Sequence, residues 1–142
     1  MRVTLIAVVL AAGMFSPAVA AIIHVPSAQS TIQAGINAAS PGDTVLVAAG
    51  TYTGALNRNL DFGGKNLVLR SSAGAAVTII SCQDLGRGLH FHSGESAATA
   101  VEGFTVRHGL ASGTFGGGVL IEGGASPTIR ESVSLPPPGT PA

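Results

Sequence analysis

The sequence predicts an all-β fold, a parallel β-helix (solenoid) of about three coils with a helix ahead of the first repeated strand. Two series of short apolar strands predict it. One runs Asn66-Leu67-Val68-Leu69-Arg70, Gly88-Leu89-His90-Phe91-His92 and Gly118-Val119-Leu120-Ile121-Glu122. It steps by 22 residues from Leu67 to Leu89 and by 30 from Leu89 to Val119. The other runs Val77-Thr78-Ile79-Ile80, Phe104-Thr105-Val106-Arg107 and Pro127-Thr128-Ile129-Arg130, stepping by 27 and then 23. Periods of this size belong to stacked coils, in which no single turn can bury its own apolar face. Two series in step imply at least two sheet columns.

The chain opens with Met1-Arg2, an apolar run from Val3 to Phe15, and then Ser16-Pro17-Ala18-Val19-Ala20. A charged start, a short apolar stretch and an Ala18-x-Ala20 site make a secretory signal peptide. The run is shorter than the roughly 18 apolar residues a membrane-spanning helix needs. Residues 1–20 are therefore expected to be removed, Ala21 to begin the mature chain, and the protein to be secreted or extracytoplasmic (periplasm or cell surface), with no membrane span in the mature chain. The 7 Lys and Arg balance the 7 Asp and Glu, which gives no electrostatic case for nucleic acid or anionic lipid. The lone Cys82 cannot form an internal disulfide and is expected as a small buried apolar residue.

In the mature chain, Ile22-Ile23-His24-Val25 reads as a strand stopped by Pro26. Ser30 and Gln33 form a capping-box pattern. Ile32, Ile36 and Ala39 then recur on one face of a short helix, residues 30–39. Ser40-Pro41-Gly42-Asp43 ends it, and Thr44-Val45-Leu46-Val47 is the next strand. An open solenoid end exposes unpaired strand edges, so this helix is expected to act as the cap. Residues 21–132 form the β-helix domain. Residues 133–142 hold four of the eight prolines and are expected as a disordered Pro-rich tail that adds no strand. The last coil would then be open, which allows end-to-end self-association.

Side-chain alternation assigns faces. Leu67, Leu69, Leu89, Phe91, Val119 and Ile121 are expected inward in the first column. Val77, Ile79, Phe104, Val106, Pro127 and Ile129 are expected inward in the second. Outward rows are then Arg70, His92 and Glu122, and Thr78, Thr105 and Thr128.

Several segments resemble right-handed parallel β-helix repeat proteins of the pectin-lyase-like superfamily. They are Thr31-Ile32-Gln33-Ala34-Gly35-Ile36-Asn37-Ala38-Ala39-Ser40-Pro41-Gly42-Asp43-Thr44-Val45-Leu46-Val47, Gly50-Thr51-Tyr52, Val101-Glu102-Gly103-Phe104-Thr105-Val106-Arg107, Gly116-Gly117-Gly118-Val119 and Ser126-Pro127-Thr128-Ile129-Arg130. The resemblance covers residues 22–132 and implies a right-handed coil. Family members run to many more coils, so the chain reads as an amino-terminal portion, truncated after about three. That superfamily contains polysaccharide lyases, pectin esterases, glycosidases and secreted proteins without assigned activity, and fold alone does not choose among them. Gly50-Thr51-Tyr52 resembles an early pectin esterase motif, but the later Asp, Arg and Gln motifs of those enzymes are absent.

No strand carries two acids two residues apart, so no strand alone offers a carboxylate pair for acid–base work or a calcium cage. Asp43 follows Pro-Gly and reads as a turn residue. His90 and His92 share a strand face, but two imidazoles do not make a metal site. No catalytic residue, metal or cofactor is expected. The candidate ligand-contact surface is Arg70, His90, His92, Arg107, Glu122 and Arg130. The expected function is a secreted, non-catalytic module that is structural or binds polysaccharide or a cell-surface protein. The alternative is the truncated amino-terminal part of a pectin-lyase-like lyase or esterase.

Overall fold

A computed structural model describes Gly13, residues 17–111 and residues 117–135. Twelve short strands stack into three sheets in which every pairing is parallel. The first sheet comprises β1 (Ile22–Val25), β2 (Thr44–Val47), β5 (Val68–Ser71), β8 (Ala100–Glu102) and β11 (Thr128–Arg130), in that order. The second comprises β3 (Gly50–Tyr52), β6 (Thr78–Ser81), β9 (Thr105–Arg107) and β12 (Val133–Ser134). The third comprises β4 (Leu60–Asp61), β7 (Leu89–Phe91) and β10 (Val119–Ile121). The chain visits first, second and third sheets in turn, which makes a β-solenoid of about three turns.

Interior ladders run across the coils. In the first sheet Ile23, Val45, Leu69, Val101 and Ile129 lie in register. In the second, Tyr52, Ile80 and Val106 do, and in the third Leu60, Leu89 and Val119. Phe62 and Phe91 add a tilted ring pair with centroids 4.9 Å apart. One apolar cluster fills the solenoid, as expected when each coil offers only one inward face.

The two sequence series prove to be spliced across columns. Leu69 stacks on Val101, not on Phe91, and Ile129 stacks on Val101, not on Val106. The real partner of Leu89-His90-Phe91 at the start of the third sheet is Leu60-Asp61. The second series also slips by one residue. Ile80, not Ile79, lies beside Val106, so Thr78 and Ile80 are buried and Val77 is exposed. The cause is the run Val77-Thr78-Ile79-Ile80, whose β-branched residues fit either register. The Thr78-Thr105-Thr128 row therefore does not form: Thr78 faces the core, Thr105 lies opposite Ile79, and Thr128 belongs to the first sheet. Ile121 and Ile129 sit in the terminal strands and remain exposed, although Ile129 continues the inward ladder. Strand structure also extends past residue 132. Val133–Ser134 pairs with Thr105 and Val106, because the four prolines of the tail begin only at Pro136. Pro136 to Ala142 lie outside the described residues, as do Met1 to Ala12 and Met14 to Ser16 of the expected signal peptide.

Helix α1 spans Ile32–Ala38 and buries Ile32, Gly35 and Ile36. Its N-cap is Thr31, whose hydroxyl accepts from the Ala34 amide at 3.2 Å, not the expected Ser30. The shift frees Gln33 for another task. Gln33 Nε2 donates to the Asp61 carbonyl at 2.9 Å, and its Oε1 accepts from the Asp61 amide at 3.0 Å. Asn57 Oδ1 accepts from the Ile32 amide, and Lys65 Nζ donates to the carbonyls of Ile36, Asn37 and Ala39 at the helix's other end. Orphan groups at both helix ends thus find partners on the first coil.

Candidate functional site

The third sheet carries a cluster of ionisable side chains on its outer face. Inward Leu89 and Phe91 leave His90 and His92 pointing out on either side of Phe91, as strand alternation demands. Their rings lie 4.4 Å apart at an interplanar angle of 38°. Each imidazole meets a carboxylate from a neighbouring coil. His90 Nε2 lies 2.7 Å from Glu122 Oε1, and His92 Nε2 lies 3.2 Å from Asp61 Oδ2. Asp61 is held by backbone as well: its Oδ1 accepts from the Gly63 amide at 2.8 Å. Two crossed pairs thus span three coils on one face, and all four side chains are partly open to solvent.

Of the expected surface residues, the structure brings His90, His92 and Glu122 together and separates the rest. The Arg70-His92-Glu122 row is not formed, because Arg70 belongs to the first sheet. There Arg70 Nε donates to Glu102 Oε2 at 2.7 Å, and Arg130 occupies the register position opposite Glu102 on the other side. Such an exposed pair contributes only about 0–1 kcal/mol. Arg107 lies on the second sheet opposite Ser81. Asp61 and Glu102 were missed by sequence reasoning. For Asp61 a signal existed: Leu60-Asp61-Phe62 repeats the Leu89-His90-Phe91 pattern one coil earlier.

Among the described residues, no group of three or more His, Cys, Asp or Glu side chains could hold a metal ion. In the third-sheet cluster each imidazole Nε2 faces a carboxylate of its own. Other ionisable groups serve the fold. Glu95 is fully buried, and its carboxylate accepts from the Gly64 and Ser93 amides, each at 3.0 Å. Cys82 is buried as expected, and desolvation pushes its thiol up to about 11, outside the range of reactive thiols. His108 and Asp84 make a looser pair at 3.8 Å away from the cluster. No helix among the described residues is long and apolar enough to cross a membrane.

Chemically, the third-sheet face offers two imidazole rings and carboxylate acceptors. Comparison with protein-family models, with curated proteins and with solved structures gives no match to this chain, so the reading of the site rests on its geometry.

Proposed function

We propose that this chain is an extracytoplasmic, right-handed parallel β-helix module of the pectin-lyase-like kind. Its helix α1 caps the first coil, and it works by binding polysaccharide, not by turnover. The observation that carries the binding reading is the crossed Asp61–His92 and Glu122–His90 arrangement on one outer face. Ring faces suit the apolar side of a sugar, and carboxylate oxygens accept sugar hydroxyls. The carboxylates on this face favour a hydroxyl-rich ligand over a polyanionic one. The open face speaks against catalysis, because catalytic acids and bases are tuned in water-poor clefts.

The test is titration of the purified chain with soluble neutral polysaccharides and with polygalacturonate, followed by calorimetry. A β-elimination assay with added calcium runs beside it. Binding that is lost in the His90→Ala/His92→Ala double variant, with no unsaturated product, supports the reading. Absence of binding, or binding untouched in that variant, refutes the site. Turnover abolished by Arg107→Ala refutes the non-catalytic assignment.

A second reading, the amino-terminal part of a lyase or esterase, is favoured by the far end of the solenoid. There β10, β11 and β12 are each, among the described residues, the last strand of their sheet, beside an apolar recess of about 70 Å³ lined by Leu89, Val101, Phe104, Val119 and Ile129. Further coils would close that recess and extend the outer face. A second copy docking end to end would close it too. Sedimentation over a wide concentration range reports the second case as concentration-dependent association.

A further inference from the structure

Asp43 has a role that neither the turn nor the outer faces explain. It is a nearly buried carboxylate, 8% exposed, with no cationic side chain within ion-pair distance among the described residues. Its Oδ2 accepts from the Ser40 amide and its Oδ1 from the Ala21 amide, each at 2.8 Å. Lys65, which acts on it electrostatically, spends its ammonium on the helix carbonyls instead. Ala21 is fixed from its other side as well, since its carbonyl accepts from the Thr44 amide at 2.9 Å. Immediately upstream, residues 17–20 run exposed and without regular structure over Ser40, Pro41 and Gly42. The bond between Ala20 and Ala21 is thus accessible, follows the small-x-small pattern Ala18-Val19-Ala20, and joins an exposed, irregular segment to the first hydrogen-bonded residue of the fold.

We propose that Asp43 is the receptor for the α-ammonium created on Ala21 when the leader is cleaved at the expected Ala20–Ala21 junction. The inference rests on the extracytoplasmic reading above. The step is a hydrolysis: water adds to the Ala20 carbonyl carbon, the C–N bond breaks, and Ala21 nitrogen takes up protons. The products are a carboxylate on Ala20 and an ammonium on Ala21, with no change of oxidation state. The nitrogen that donated as a neutral amide then donates as a cation from the same place. A charge-assisted bond is shorter and roughly twice as strong as a neutral one. Processing therefore converts a hydrogen bond at the start of β1 into a partly buried ion pair, and tightens the first strand after the leader has gone.

The experiment uses the full chain expressed with its own leader in an exporting bacterial host. Cell fractionation reports location, and intact-mass measurement reports the first residue. The α-amino group of the product is then titrated by NMR. The expected result is an extracytoplasmic protein beginning at Ala21, whose α-amino group titrates about one pH unit or more above the ordinary 7.7–8.0. In Asp43→Asn it should return to that range. If that variant fails to fold, the wild-type titration decides alone. An exported protein beginning elsewhere, or an α-amino group titrating normally with Asp43 present, overturns the proposal and leaves the location standing. An unprocessed protein retained in the cytoplasm overturns both.

Discussion

The side chain of Gln33 hydrogen-bonds both backbone polar groups of Asp61, donating to its carbonyl at 2.9 Å and accepting from its amide at 3.0 Å. An amide side chain on a helix here does what a neighbouring strand would do for β4, the first strand of the third sheet. An unsatisfied edge costs free energy and invites pairing with other chains. Gln33→Ala removes both bonds at once, and since a typical hydrogen bond contributes about 0.5–1.5 kcal/mol and these two are only partly buried, it should destabilise the fold by about 1–3 kcal/mol in all. Urea denaturation measures it. Gln33→Glu, which cannot donate to the carbonyl, should fail to rescue.

Gly35 illustrates a competition between local and tertiary preference. Alanine at a helical glycine normally gains up to about 1 kcal/mol. Here a Cβ would come within 2.8 Å of Val45 Cγ1 and 2.9 Å of Val25 Cγ2, both on stiff β-branched side chains. Overpacking of that kind costs about 1–3 kcal/mol, so packing wins. Gly35→Ala should lower the unfolding midpoint despite its better helix propensity.

Thr78 provides a test of register. Its side chain is fully buried, and its hydroxyl has no hydrogen-bond partner among the described residues. Thr78→Val removes the orphan hydroxyl at nearly constant shape and should stabilise the protein by about 1 kcal/mol. The outward placement that strand alternation suggested would make the same change neutral. Thermal unfolding separates the two.

Asp43 sets a pH dependence. The amides of Ala21 and Ser40 hold its carboxyl below the usual carboxylate range, against opposing desolvation. A folded pKa below the unfolded one contributes stability that is fully present above the unfolded value, about 3.9, and is lost as pH falls through the folded value. Between pH 7 and pH 3 the wild-type protein should therefore lose more stability than Asp43→Asn does, and both should follow the same trend near neutrality. Denaturation series at several pH values give the difference.

The solenoid was legible because coil periodicity survives in short strands such as Val68-Leu69 and Leu89-His90-Phe91. Column membership was not. The first sheet steps by 24 residues from Thr44 to Val68 but by 32 from Val68 to Ala100, because the turns between coils differ in length. A fixed offset therefore jumps between sheets. Turn residues carry no strand pattern, so Glu95, a buried staple between turns, gave no sequence signal. The His90 and His92 face was legible from a two-residue spacing, and Asp61 from the match of Leu60-Asp61-Phe62 to Leu89-His90-Phe91, whereas Glu102 needed the true register. Likewise the cap at Thr31 could not be separated from Ser30 by composition, since both are good N-cap residues.

The measurement closest to the centre of this account is the set of methyl–methyl contacts across the coils, read by NOE spectroscopy on a methyl-labelled chain. Three parallel columns in the register described predict contacts of Leu69 with Val101, of Ile80 with Val106, and of Leu89 with Leu60 and Val119. Contacts of Ile79 with Val106, or backbone contacts of antiparallel type, would contradict it.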